Sequence, residues 1–132
     1  MYEYKVKVND VIDGDTIDVV IDLGFDIFTN KRIRLYGIDC PESRTTDLYE
    51  KKLGLEAKEY LKNVLGNAST VVVKTLSTDS YDKYGRVLGQ IYTDSSTTSV
   101  NELMISRGYA WSYNGKEKTK DFDALLSKRP HD

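Results

Sequence analysis

Cysteine and histidine each occur only once in this 132-residue sequence, as Cys40 and His131. A lone cysteine excludes an internal disulfide, and with a single histidine it argues against a zinc site. Long apolar runs are missing too. The first residues, Met1-Tyr2-Glu3-Tyr4-Lys5-Val6-Lys7-Val8, alternate at once and hold no stretch of the kind a signal peptide or membrane-spanning helix needs. The expectation is a protein without a membrane anchor, in the cytoplasm of its own cell or of a host reached by a phage or plasmid. There is no surplus of positive charge either, because the formal net charge is -2. Nucleic acid cannot then be held by broad counterion release, and any such binding must be local. Repeats, linkers and low-complexity tracts are also lacking.

What remains describes a globular chain. A hydrophobic content of 39% and a charged content of 30% exclude both a disordered and a membrane-embedded class. The length suits one domain over residues 1–132, with a single core, and a monomer is expected.

Tyr4, Val6 and Val8 alternate with lysines to give a first strand, loosened at Asn9-Asp10 before Val11-Ile12. Asp13-Gly14-Asp15-Thr16 is a turn carrying two carboxylates. Ile17, Val19 and Ile21 form a second strand, and Asp22-Leu23-Gly24-Phe25-Asp26 reads as a hairpin connection. Residues 43–53 show no period and read as a loop. Ala57, Tyr60, Leu61, Val64 and Leu65 recur at helical spacing, with Gly66-Asn67 placed to end the helix. Two further strands follow, at Thr70–Thr75 and Val87–Tyr92, separated by a polar loop holding Asp82-Lys83-Tyr84-Gly85-Arg86. Ser99 and Glu102 form a capping box for a second helix that Gly108 ends. An aromatic extended segment, Tyr109 to Tyr113, precedes a short last helix around Phe122, Leu125 and Leu126, stopped before Pro130. Five short strands with two or three helices suggest an α+β fold, a closed five-stranded barrel with helices outside.

The stretch with most chemical content is Arg32-Ile33-Arg34-Leu35-Tyr36-Gly37-Ile38-Asp39-Cys40-Pro41-Glu42. Arg32, Arg34 and Tyr36 share one face of a strand, and Ile33 and Leu35 the other. On a straight strand Arg34 and Asp39 would stand about 16 Å apart. Gly37 permits a bend and Pro41 ends strand pairing, so an arginine and two carboxylates can converge. That group suits a divalent cation and a phosphate. It equally suits a polar turn. Asp15 and Asp39 are candidate ligands for calcium, which takes about six to eight oxygens from carboxylates, carbonyls and water. Glu42 could accept a proton from an attacking water, and Arg34 and Arg86 could fork onto a phosphate. Surface ion pairs are the plainer use of the same side chains. Tyr84, flanked by Lys83 and Gly85, is the aromatic best placed to stack on a base, whereas Tyr109 and Trp111 suit the core.

Three blocks, Val11-Ile12-Asp13-Gly14-Asp15-Thr16, Arg34 through Glu42, and Asp82-Lys83-Tyr84-Gly85-Arg86, resemble the staphylococcal nuclease (thermonuclease) family in order and spacing. Gly54-Leu55-Glu56-Ala57 and Val100-Asn101-Glu102-Leu103 resemble the starts of that family's first two helices. The resemblance implies an OB-fold barrel with helices and calcium-dependent hydrolysis of DNA, with RNA as a further substrate, leaving 3′-phosphate ends. It implies Asp15, Asp39 and the backbone carbonyl of Cys40 as calcium ligands, Glu42 as general base, and Arg34 and Arg86 as phosphate-binding catalytic residues. Lys83, Tyr84 and Tyr113 would meet the nucleotide, with single strands preferred. Asp13 matches an acidic position that tunes the site. Only seventeen residues follow Gly115, so the family's third helix is expected to be truncated or replaced. The competing reading is an idle OB-fold module that binds nucleic acid or a protein partner. Such modules lose the acidic or arginine positions, and Asp15, Arg34, Asp39, Glu42 and Arg86 are all here.

Overall fold

The computed structural model describes residues 2–75, 86–114 and 120–130. In chain order these form β1 (Tyr2–Asp13), β2 (Thr16–Asp22), β3 (Phe28–Leu35), β4 (Ile38–Asp39), α1 (Leu48–Gly66), β5 (Val71–Thr75), β6 (Val87–Thr93), α2 (Val100–Ser106), β7 (Trp111–Ser112) and α3 (Phe122–Ser127). Five strands close a barrel in the order β1-β2-β3-β6-β5, and β4 pairs with β7 beside it. Among the described residues, only the β3–β6 pairing in the barrel is parallel. The strand pattern led to the expectation of such an α+β fold with a closed five-stranded barrel, and the family resemblance to that of an OB-fold.

Alternation decides which side of each strand faces inward. Ile17, Val19 and Ile21 on β2 and Ile33 and Leu35 on β3 are buried, and Val73 and Ile91 complete the barrel interior. On the outer face, Asp18 stands opposite Arg32 and Thr16 opposite Arg34. Register shifts between Val8 and Asp10 and between Val11 and Asp13 bend β1. The bend lets its first half pair with β5 and its whole later length with β2.

The β2–β3 hairpin turns at Gly24–Ile27, where the Ile27 N–H donates to the Gly24 carbonyl at 3.0 Å. Phe25 and Asp26, the central pair, have φ of 56° and 61°. That is a type I′ turn, which favours Asn-Gly because L side chains resist the left-handed region. Phe25 is also 97% exposed, so burial offsets none of the strain. Replacing Phe25-Asp26 by Asn-Gly should therefore stabilise the fold by about 1–2 kcal/mol. A thermal melt checks this, and an unchanged or lower midpoint would contradict it.

Helix α1 corrects the loop expected over 43–53, since it starts at Leu48. Asp47 caps it, accepting from the backbone N–H groups of Tyr49 and Glu50. Its inward face carries Glu50, Leu53, Gly54, Ala57, Leu61 and Leu65, and the lower part of that stripe packs on the barrel core. Ser99 caps α2 by accepting from Glu102, as its spacing suggested. Asn101, 3% exposed, donates to the carbonyls of Tyr36 and Gly89 and accepts from Ile91, tying α2 to the end of β3 and to β6.

The short last helix expected around Phe122, Leu125 and Leu126 is present and six residues long. Leu125 is buried, and the Trp111 indole N–H donates to the Asp121 carbonyl at 2.9 Å. Arg129 lies 4.4 Å from the Tyr109 ring, which stacks on Tyr60, and bonds Glu56 at 2.7 Å. No helix among the described residues is long and apolar enough to cross a membrane.

Candidate active site

A cleft of about 380 Å³ opens where the ends of β1, β3 and β4 meet the start of β2 and the residue before β6. Asp13, Asp15, Arg32, Arg34, Asp39, Cys40, Glu42, Ser43, Arg44 and Arg86 are among its lining. The bend anticipated at Gly37 is present, with φ of 83°, a conformation glycine takes without strain. It folds β4 back so that Arg34 Nη2 comes within 3.4 Å of Asp39 Oδ1.

Arg34 is the centre of the group. It is 9% exposed and lies between two buried carboxylates, 3.5 Å from Asp15 Oδ2 and 3.4 Å from Asp39 Oδ1. Its Nη1 donates to the Leu35 carbonyl at 2.9 Å. Asp15 is fixed in turn, because Oδ1 accepts from the Thr16 hydroxyl and Oδ2 from the Cys40 N–H at 3.1 Å. The balance of four carboxylates, Asp13, Asp15, Asp39 and Glu42, against four guanidinium groups, Arg32, Arg34, Arg44 and Arg86, keeps a dense local charge in a chain of low net charge. Arg32 engages Asp18 at 2.8 Å, which holds the Asp18 carboxyl below its ordinary range.

Cys40 donates its backbone N–H to Asp15, and its side chain is buried. A Cβ on Gly14 would lie 2.9 Å from its Sγ and 2.8 Å from the Ala57 Cβ, so the thiol packs against Gly14 in the core. Burial pushes the thiol well above its usual pKa, and the nearby Asp15 and Asp39 carboxylates push the same way. It is not a ready thiolate.

Two buried carboxylates beside a backbone turn offer the hard oxygens that calcium or another divalent cation takes. Among the described residues no group of three or more His, Cys, Asp and Glu side chains is placed to hold a metal alone. An ion here would draw its remaining ligands from carbonyls, water and substrate, and the donor set fits on that basis.

Glu42 lies on the cleft rim with its side chain exposed. Its backbone N–H donates to Glu50 Oε2 at 3.0 Å, and the Ser43 hydroxyl donates to Asp13 Oδ1. Glu50 was not singled out by sequence; the available signal was Asp47 three residues before it, the spacing of a helix cap. Lys120 bonds Glu50 at 3.1 Å, which raises the ammonium pKa, with smaller pulls from Glu42 and Asp39. Arg86, just before β6, reaches the same cleft. Tyr113 is half-buried, its N–H donating to the Gly37 carbonyl at 2.8 Å, and it is not among the cleft's lining residues. Lys83 and Tyr84 lie outside the described residues.

Comparison with known proteins gives a match to the family described as staphylococcal nuclease homologue over residues 32–129. Endonuclease YhcR of Bacillus subtilis (strain 168) is 32% identical over 140 residues, covering 98% of this chain and 11% of that protein. A micrococcal nuclease of Shigella flexneri is 29% identical over 126 residues, covering 90% of this chain and 64% of its own length. An uncharacterized endonuclease of Escherichia coli is 33% identical over 103 residues, covering 78% of this chain and 57% of its own. The chain thus spans less than two thirds of each of these relatives.

Proposed function

The chain belongs to the staphylococcal nuclease family, and from that premise we propose that its cleft hydrolyses phosphodiester bonds in nucleic acid with calcium as cofactor. The observation that carries the reading is the burial of Arg34 between Asp15 and Asp39, with Glu42 and Arg86 on the same cleft. Structural turns and surface ion pairs do not require a guanidinium and two carboxylates to be taken out of water together, an arrangement whose desolvation cost can exceed its Coulombic gain.

Asp15, Asp39 and the Cys40 carbonyl would hold the ion, which when bound polarises a phosphate oxygen and favours the deprotonated form of a nearby water. Glu42 takes the proton from the attacking water, and its place on the rim leaves room for that water. Arg34 on β3 and Arg86 just before β6 meet the phosphate and stabilise the charge that grows on it in the transition state. Breaking the bond to the 5′ oxygen leaves a 3′-phosphate on one fragment and, with a proton taken up from solvent water, a 5′-hydroxyl on the other. Tyr84 and Lys83 would contact the base and backbone, which favours single strands over duplex because stacking needs an unpaired base face. DNA is the proposed main substrate, with RNA also admitted, and Tyr113 would border the nucleotide.

Incubating the purified protein with single-stranded DNA in calcium, then with excess chelator, tests this. Cleavage should need calcium and be poorly supported by magnesium, which demands a tighter octahedral shell than two carboxylates and a carbonyl supply. Full activity in magnesium with calcium removed would count against the assignment.

A further inference from the structure

Next to the cleft sits a charged group that the chemistry above does not use. Glu50, in the first turn of α1, is 5% exposed. Its Oε2 accepts the Glu42 backbone N–H at 3.0 Å, and Lys120 Nζ lies 3.1 Å from each carboxylate oxygen. One helical turn further on, α1 places Gly54 against the next peptide, which links Glu42 to Ser43. A Cβ there would lie 2.5 Å from the Glu42 carbonyl carbon and 2.6 Å from its oxygen and from the Ser43 nitrogen. The Ser43 hydroxyl in turn donates to Asp13. The chain at Glu42 and Ser43 is thus tied at three points, two of them by a single face of α1.

We propose that Glu50 is a positioning residue for Glu42, and that Lys120 is the counter-charge that lets Glu50 be buried beside the cleft. The proposal deepens the reading of Glu42 as general base and rests on it. The side chain of Glu42 is exposed, so packing does not fix its direction and the constraint has to come through its backbone. A backbone N–H bonded to an ionised carboxylate is about twice as strong as one bonded to a neutral acceptor. That bond sets the Glu42 Cα, and through it the arc the carboxylate can sweep over the cleft. Misplacing a catalytic group by about an ångström can cost up to roughly a hundredfold in rate. Lys120 opens the segment that docks through Trp111, Leu125 and Arg129, so anchoring of the C-terminal segment and alignment of the base become one arrangement.

The test is a mutant cycle on the full chain, read as kcat and KM on a single-stranded oligonucleotide in calcium. Glu50→Ala should lower kcat by about 10- to 100-fold with KM little changed. Glu50→Gln, which keeps an acceptor for the Glu42 N–H, should recover most of the loss. In a Glu42→Gln background, Glu50→Ala should have almost no further effect, because the group it positions is gone. An equal loss in both backgrounds, or wild-type kcat in a folded Glu50→Ala protein, would overturn the proposal. Near wild-type activity of Glu42→Gln alone would instead overturn the general-base reading, and that arm does not involve Glu50. If Glu50→Ala fails to fold, Lys120→Met takes its place in the cycle, since its side chain is 42% exposed. It should slow kcat several-fold with Glu42 present and leave the Glu42→Gln rate unchanged, and any other pattern counts against the proposal.

Discussion

Glu42→Gln is expected to slow cleavage at least about a hundredfold while the fold survives, and Arg86→Ala should do the same. A positioned general base contributes roughly 10²–10⁴-fold, and one preorganised donor to a developing oxyanion about 10²–10³-fold. The amide replacing the Glu42 carboxylate is nearly isosteric. It projects from an exposed position, and its backbone bond to Glu50 is untouched. Nothing in the core is altered, so lost rate would report chemistry. Arg86 is only half-buried, and its removal leaves Arg34 in place between the two aspartates. Single-turnover cleavage gives the rates and circular dichroism the fold. Either variant retaining near wild-type turnover would remove that residue from the mechanism.

A larger contrast is expected between two adjacent residues. Asp39→Ala should abolish both calcium binding and turnover, since it removes one of the two buried carboxylates that define the site. Cys40→Ser should leave calcium affinity and turnover within a few-fold. The thiol packs against Gly14 in the core, while the backbone N–H bonds Asp15. Its place before Pro41 holds the backbone extended whatever the side chain, so the carbonyl keeps its direction. The serine hydroxyl would enter an apolar pocket, and a stability loss of about 1–3 kcal/mol is expected if it finds no partner. Calorimetric calcium titration and a cleavage assay on both variants separate the outcomes. If the Cys40 change were as damaging as the Asp39 change, the carbonyl assignment would be wrong and a role for sulfur would have to be reopened.

The barrel and the heart of the cleft were legible in the sequence because both are written in short-range pattern. Period-two alternation placed Ile33 and Leu35 inside and Arg34 outside, and a glycine two residues after Leu35 marked where the strand could fold back. Convergence of Arg34 on Asp39 followed from those two features. The start of α1 was hidden for a physical reason. Its first buried positions are Glu50, Leu53 and Gly54, and two of the three face the Glu42–Ser43 backbone instead of an apolar core. Hydrophobic periodicity cannot register a helix face built to meet a peptide bond. Lys120 was invisible for another reason, since seventy residues separate it from Glu50 and only the docking of the C-terminal segment brings them together.

The measurement that bears most directly on the cleft as the seat of catalysis is calcium-dependent cleavage of one labelled single-stranded oligonucleotide by wild-type protein and by Asp15→Ala, purified in parallel. Wild-type rates should rise with calcium to a plateau and disappear in chelator, while the Asp15→Ala preparation stays at background throughout. Equal calcium-dependent rates in the two preparations would mean that the activity does not arise from the cleft between Asp15, Arg34 and Asp39.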